Sequence, residues 1–198
     1  MTDNERLLLK RAKKGDVDAF EQLIEKYQKK VYNIALKMLG NKEDAYDMSQ
    51  EVFIRVYRSI DKFKEQASLS TWIYKITTNV CLDEIRRRKN RFTVSIDDDM
   101  ELNDSKVKRQ IEYDGPSPEI IVEENELREI INKSIQQLPE QYRVVTILRD
   151  IQGFSYEEIA NILDVPQGTV KSRINRARAM LRDILYEKKE LLNKNYVI

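Results

Sequence analysis

Histidine is absent from this 198-residue chain, and cysteine occurs once. Without histidine there is no His-containing zinc site, no Ser-His-Asp triad and no histidine general base. The single Cys81 forbids an internal disulfide and reads as a small core residue rather than a reactive thiol. Glycine (5) and proline (4) are scarce, and charged residues make up 35% of the chain. That balance suits a mostly helical protein. No stretch of about 18 apolar residues occurs, so no membrane insertion is expected. The charged N-terminus lacks the apolar core of a signal peptide. The expectation is a soluble, cytoplasmic protein in a reducing compartment, with no catalytic residue, metal or cofactor.

What is present is charge, and it is segregated. Residues 1–92 carry 20 Lys/Arg against 14 Asp/Glu, a net of +6. Residues 93–129 carry 4 against 12, a net of −8, and residues 130–198 carry 11 against 8, a net of +3. Two basic blocks around an acidic one suggest two nucleic-acid-facing domains joined by a segment that does not bind DNA.

The N-terminal block reads as four helices. The first spans about 3–14 and ends at Gly15. Asp16 caps a second, to about Leu39, with Phe20, Leu23, Ile24, Tyr27, Val31, Ile34, Ala35 and Met38 as its apolar stripe. Gly40 sits where a helix-ending glycine belongs. Asn41 caps a third, to about Ile60, and Ser68 or Ser70 starts a fourth, to about Arg88. From Phe92 to Ser117 the helical periodicity stops among Asp97-Asp98-Asp99, Asn103, Asp104 and Asp114-Gly115-Pro116. So long a connection is unusual inside one domain, so 93–117 is expected to be an acidic flexible linker. If flexible, it separates its ends by roughly 25–30 Å, with a limit near ~85 Å. The expected architecture is all-α, with domains at 1–92 and 118–198.

In the C-terminal block a helix begins near Ser117 and breaks at Leu138-Pro139, where Pro139 suits the first position of the next. Residues 155–182 then carry the strongest signal. Ser155 and Glu158 have capping-box spacing, and Ile159, Ile162 and Leu163 line one face. Asp164-Val165-Pro166-Gln167-Gly168 reads as a turn. A second helix follows from about Thr169, with Val170, Ile174, Ala177 and Leu181 inward. Lys171, Arg173, Arg176, Arg178 and Arg182 cover much of its remaining surface. A short helix, a tight turn and a basic second helix form a device for entering the DNA major groove. The tail from Tyr186 is expected to fray.

Two further patterns stand out in the N-terminal block. On the third helix Ala45, Met48, Val52 and Val56 mark a core face, with Asp44, Asp47, Gln50, Glu51 and Ile54 mainly opposite. Spacing alone leaves this face open between a solvated surface and a protein contact. In the fourth helix Trp72, Ile73, Ile76, Val80 and Ile85 point inward. Thr77, Thr78 and Asn79 precede the basic run Arg86–Arg91. Aromatics, hydroxyls, amides and cations together suit single-stranded nucleic acid, while the basic run is also what a solvated helix end looks like.

Taken in order, Asp44-Ala-Tyr-Asp-Met-Ser-Gln-Glu-Val-Phe, Ser70-Thr-Trp-Ile-Tyr-Lys-Ile-Thr-Thr-Asn, Leu138-Pro-Glu-Gln-Tyr-Arg, Ser155-Tyr-Glu-Glu-Ile-Ala and Gly168-Thr-Val-Lys-Ser-Arg-Ile-Asn-Arg-Ala-Arg resemble the bacterial extracytoplasmic-function sigma factors. The resemblance covers nearly the whole chain outside the linker. It implies a region 2 bundle and a region 4 helix-turn-helix that bind core RNA polymerase and promoter DNA, usually under an anti-sigma factor in a stress response. Asp44, Asp47, Gln50, Glu51 and Ile54 would then dock on the polymerase β′ clamp helices, and region 4 would lie at the β flap. Phe63, Lys64, Ser68, Leu69, Ser70, Asn79, Asp83 and Arg86 would read and open the −10 element, where a flipped base costs a few kcal/mol of unstacking. Gly168, Thr169, Lys171, Ser172, Arg173, Asn175 and Arg176 would read the −35 element. Lys171 stands where relatives often carry arginine and lacks its planar fork. Asn175 suits an adenine edge. The acidic linker would thread toward the polymerase cleft.

Two other classes are weighed against this one. A dimeric repressor with the same helix-turn-helix needs dimerisation heptads, which are not seen, and leaves the N-terminal basic domain without a task. A DNA-cleaving enzyme such as a recombinase needs a nucleophile beside a positioned acid or base, which the many serines and tyrosines do not supply.

Overall fold

The computed structural model describes residues 2–65, 67–94 and 118–195. Among them the regular structure is helical. In the N-terminal half α1 spans Asp3–Ala12, α2 Val17–Leu39, α3 Lys42–Ser59 and α4 Leu69–Val94, with a short 3-10 turn at Ile60–Lys62 after α3. In the C-terminal half α5 spans Pro118–Gln137, α6 Glu140–Thr146, α7 Tyr156–Leu163 and α8 Gln167–Asn195. A π-helical turn, Ile147–Ile151, continues α6.

Each N-terminal boundary has a local cause. Thr2 forms a capping box with Glu5, the Asp16 carboxylate accepts the Ala19 N–H, and Asn41 accepts from Glu43 and Asp44. Gly40 ends α2 at φ 76°, a left-handed position that glycine takes without strain. The Ser68 hydroxyl accepts the Thr71 N–H at 3.1 Å, so Ser68 opens α4. The stripe expected on α2 is buried throughout, from Phe20 to Met38. It packs on Ala45, Val52 and Val56 of α3 and on Ile73 and Val80 of α4.

Several expectations need correction. α4 continues to Val94, two residues beyond the expected end of the first domain; the rest of the expected linker lies outside the described residues. Pro139 precedes the first helical residue of α6 rather than occupying it, because its own carbonyl accepts the Tyr142 and Arg143 N–H groups. α8 starts at Gln167, not Thr169, since the Pro166 carbonyl already accepts from Thr169 and Val170. Gly168 therefore sits inside the first turn of α8. The left-handed residue between the two helices is Asp164, at φ 56°. The tail does not fray at Tyr186, because α8 runs on to Asn195 and Lys188 donates to the Ser134 hydroxyl of α5 at 3.0 Å.

The two halves share one apolar core. α7 lies along α4, and Tyr74 of α4 meets Phe154 edge-on at 5.2 Å, with both rings buried. Lys30 of α2 stands 4.0 Å from the centre of the Phe154 ring. Arg143 of α6 reaches across to the Met38 carbonyl at 3.1 Å and also holds the Gln136 and Leu138 carbonyls. Its burial pulls the guanidinium below its usual value, and its Nε finds no partner among the described residues.

Candidate nucleic-acid interface

The candidate reading surface of the C-terminal half is built on α7 and α8. Ser155 and Glu158 form the expected capping box: the Ser155 hydroxyl accepts the Glu158 N–H at 3.2 Å, and the Glu158 carboxylate accepts the Ser155 N–H at 2.8 Å. That backbone donor, then the Ser155 hydroxyl, holds the Glu158 carboxyl below its ordinary value. Ile159 and Ile162 of α7 pack on Val170, Ile174 and Ala177 of α8, all buried. This packing fixes the rotation of α8. Lys171, Ser172, Asn175 and Arg176 are consequently exposed on its far side, with Gly168 beside them and Thr169 and Arg173 half-buried. The Ser172 hydroxyl donates back to the Thr169 carbonyl at 3.0 Å, leaving its oxygen as an acceptor.

Not every cation on α8 belongs to that surface. Arg178 forms a fork on Asp150, at 2.5 and 3.3 Å, which raises its pKa further and ties α8 to the π turn. Arg182 pairs with the adjacent Asp183 at 3.2 Å. Arg149 donates to the Phe154 carbonyl at 2.8 Å and stacks 4.9 Å from the Tyr156 ring, bracing the approach to α7.

In the N-terminal half the loop before α4 is held from below. Phe63 is buried against Trp72 at 5.1 Å, and its carbonyl accepts from Lys13 at 2.7 Å. Leu69 is buried too. Phe63 and Leu69, expected to touch DNA, are therefore anchors: neither can meet a base unless the loop rearranges. Thr77 and Thr78, expected on the polar face, are buried, and their hydroxyls donate to the Ile73 and Lys75 carbonyls. Trp72 is half-buried. The exposed polar set is Lys64 and Ser68, with Ser70 half-buried, on the loop, and Asn79, Asp83 and Arg86 along α4. Ser68 lies 2.7 Å from both the Ser70 and Thr71 hydroxyls, a cluster at the electropositive start of α4.

On α3 Asp47, Gln50 and Ile54 are exposed, and Glu51 is half-buried with Arg55 at 2.7 Å. Asp44 differs from its neighbours on this face. Arg88 of α4 holds it at 2.5–2.6 Å and also holds Glu84 at 2.8 Å. Asp44 thus fastens α3 to α4 and is not a free acidic group. Nothing in the helical spacing marked Arg88 for this role; the only sequence signal is Glu84 one turn before it.

Comparison with known proteins agrees with this architecture. The sigma-70 region 2 model matches residues 23–91, and the sigma-70 region 4 model matches residues 128–181. Over 177 residues the chain is 41% identical to the ECF RNA polymerase sigma factor SigW of Bacillus subtilis, covering 88% of this chain and 92% of that protein. It is 36% identical over 174 residues to the ECF RNA polymerase sigma-E factor of Escherichia coli K12, covering 88% and 90%. A structure of CnrH in complex with the cytosolic domain of CnrY shares the fold, with TM-score 0.66 at 23% identity over 93% of this chain and 99% of that one. The sigma factor RpoE of Bartonella quintana, solved with the anti-sigma factor NepR, aligns with TM-score 0.64 at 24% identity over 84% and 96%.

Two helical units with these motifs define a sigma-70-type transcription factor. The chain belongs to the extracytoplasmic-function sigma factors and acts with RNA polymerase in promoter-specific transcription initiation. Such proteins are regulatory subunits, not catalysts. Among the described residues no helix is long and apolar enough to cross a membrane, and no group of acidic or cysteine side chains is placed to hold a metal ion.

Proposed function

We propose that the two halves divide promoter recognition between them. Asp47, Gln50, Glu51 and Ile54 dock on the polymerase β′ clamp helices, with Asp44 positioning the helix that carries them. Lys64, Ser68, Ser70, Asn79, Asp83 and Arg86 read the −10 element. Phe63 and Leu69 hold the loop in shape, so a base extruded from the stack meets a preformed surface. Gly168, Thr169, Lys171, Ser172, Arg173, Asn175 and Arg176 enter the major groove at the −35 element while the unit sits at the β flap. Arg176 and Asn175 have the side-chain chemistry to read guanine and adenine edges; Lys171 is a point charge suited to a phosphate. The domain division is residues 1–94 and 118–198, and the intervening acidic segment threads the polymerase cleft. An anti-sigma factor restrains the protein in the cytoplasm.

The observation that carries this reading is the rotation of α8. Val170, Ile174 and Ala177 are fully buried, which turns Lys171, Asn175 and Arg176 outward together. The test is run-off transcription from genomic fragments with core polymerase, with and without this chain. Discrete chain-dependent transcripts sharing two short upstream elements are expected. Identical transcripts with and without the chain refute the reading.

A further inference from the structure

The loop that leads into α4 is held from a corner of the fold that carries none of the proposed recognition residues. Lys13 closes α1, and its N–H donates to the Leu9 carbonyl at 2.9 Å. The Arg11–Asp16 pair at 2.7 Å and a left-handed Gly15 lock the joint that follows. The Lys13 backbone is thus fixed at the corner between α1 and α2. Its side chain reaches a segment 50 positions further along the chain. The ammonium donates to the Phe63 carbonyl at 2.7 Å, and it lies 5.6 Å from the centre of the Phe63 ring and 3.6 Å from the Glu65 carboxylate. Lys10, Arg11 and Lys14 beside it are exposed, whereas Lys13 is half-buried.

The segment that Lys13 grips is bent against its own preference. Glu65 sits at φ 56°, a left-handed conformation that a residue with a Cβ avoids. Such a position persists only where its surroundings over-determine it. Three holds flank it. The Phe63 ring is buried against Trp72 at 5.1 Å. The Ser68 carbonyl accepts the Trp72 N–H and the Ser68 hydroxyl accepts the Thr71 N–H, both at 3.1 Å. Lys13 is the third hold, and it comes from outside both the loop and α4.

The three holds do different things. A ring contact fixes where Phe63 lies but not the direction in which the chain leaves it. The Phe63 carbonyl belongs to the peptide that leads into Lys64, so a directional, charge-assisted bond to it orients that peptide. Fixing the peptide sets where Lys64 projects and where the chain turns at Glu65. The Lys13–Glu65 pair is more than half exposed on the glutamate side and adds little.

Resting on the −10 reading proposed above, we infer that Lys13 is a positioning residue for base recognition. It acts through the loop and not on DNA. By orienting the Phe63–Lys64 peptide it presents Lys64 and Ser68 in one arrangement, so the loop is ordered by folding rather than by the arriving base. Lys13 thereby sets the preference at the base the loop faces and contributes nothing to docking on polymerase.

The test replaces Lys13 by methionine, which keeps an unbranched apolar stem and loses the donor. Trp72 is the single tryptophan of the chain, so its fluorescence reports on the Phe63 contact. In the free full chain, Lys13→Met should leave the circular dichroism unchanged and raise the quenching of Trp72 by acrylamide. Core polymerase is then loaded with full-length wild type, Lys13→Met or Lys14→Met. Each complex is bound to forked DNA whose single-stranded −10 region is randomised, and the bound DNA is sequenced at two salt concentrations. Lys13→Met should lose at least about 10-fold of preference at one base position and keep the rest of the motif, a loss in scale with one hydrogen bond from a charged donor. Lys14→Met, with the same change of charge, should match wild type. Unchanged Trp72 quenching, an unchanged motif, or an equal loss in Lys14→Met would overturn the inference. So would a loss spread evenly over all sequences with a salt slope smaller by about one, which marks a phosphate contact. A wild-type complex that enriches no motif would instead overturn the proposed −10 reading, since the Trp72 measurement needs neither DNA nor polymerase.

Discussion

Reversing Asp47 and Glu51 to arginine should separate polymerase binding from folding. Both sit on the solvent side of α3, whose other side is held by Ala45, Val52 and Val56 in the core. The fold loses little. Glu51 gives up Arg55 four residues on, at 2.7 Å, an exposed pair worth about 0.3–0.5 kcal/mol. The melting temperature should therefore fall by no more than about 2–4 °C. Docking loses much more. One pair of unit charges about 4 Å apart in a water-like medium contributes about 1 kcal/mol. Reversal removes that attraction and installs a repulsion of the same size, so each position costs about 2 kcal/mol and the pair about 4. A loss of that size is close to 1000-fold in affinity. The assay is equilibrium binding of labelled wild type and Asp47→Arg/Glu51→Arg to core polymerase at two salt concentrations, with circular dichroism as the folding control. Because the effect is electrostatic, the gap should narrow as salt rises. An affinity within about 10-fold of wild type, in a folded variant at low salt, would refute the argument.

Four other outcomes follow from the site and its supports. Arg176→Ala should cost about 1–3 kcal/mol and relax preference at one −35 base pair, whereas Arg178→Ala, whose guanidinium is spent on Asp150, should leave base preference unchanged; a variant library bound at two salt concentrations separates them. Ser155→Ala should cost about 1 kcal/mol of stability by removing the cap on α7, read as a lower urea midpoint. The Glu158 carboxyl is held below its ordinary value in the fold, so its contribution is present above about pH 4.5 and lost as pH falls through the depressed value. Glu158→Gln should accordingly be less stable than wild type at pH 7 and equal to it in strong acid; an equal deficit at both would contradict the cap as its cause. Burial pushes the Cys81 thiol up to about 12, so a thiol reagent at pH 8 should label it only on unfolding, and fast labelling of the native chain would place it at the surface instead.

Period and capping made the helices legible. The α2 stripe, the Ser155–Glu158 box and the inward face of α8 depend on neighbours within one or two turns, and one-dimensional spacing records such neighbours faithfully. Burial on α4 was less legible. Thr77 and Thr78 read as polar, yet each hydroxyl is satisfied by a carbonyl three or four residues back, so the helix buries them at little cost. Phe63 was expected to read the −10 element, and its burial was not foreseen because its partner Trp72 lies nine positions on, across a loop, where periodicity has no reach. Asp44 and Asp47 are identical in type and one turn apart, but only Asp44 has Arg88 above it. The start of α8 was missed because Gly168 reads as a turn residue, while the left-handed position fell to Asp164. The contacts between the halves were invisible for the same reason: Gln136 and Lys37 are 99 positions apart.

α8 is one unbroken helix of 29 residues, about 43 Å long. Its first turns carry the side chains proposed above to read bases, and Lys188 toward its far end donates to Ser134 of α5. A helix of that length transmits torque with little loss, since bending it would break its own hydrogen bonds. A rotation imposed at the N-terminal end of α8 is therefore felt at α5. A displacement at the N-terminal end of α8 would then reach α5 through helix backbone, with no loop between them to absorb the motion.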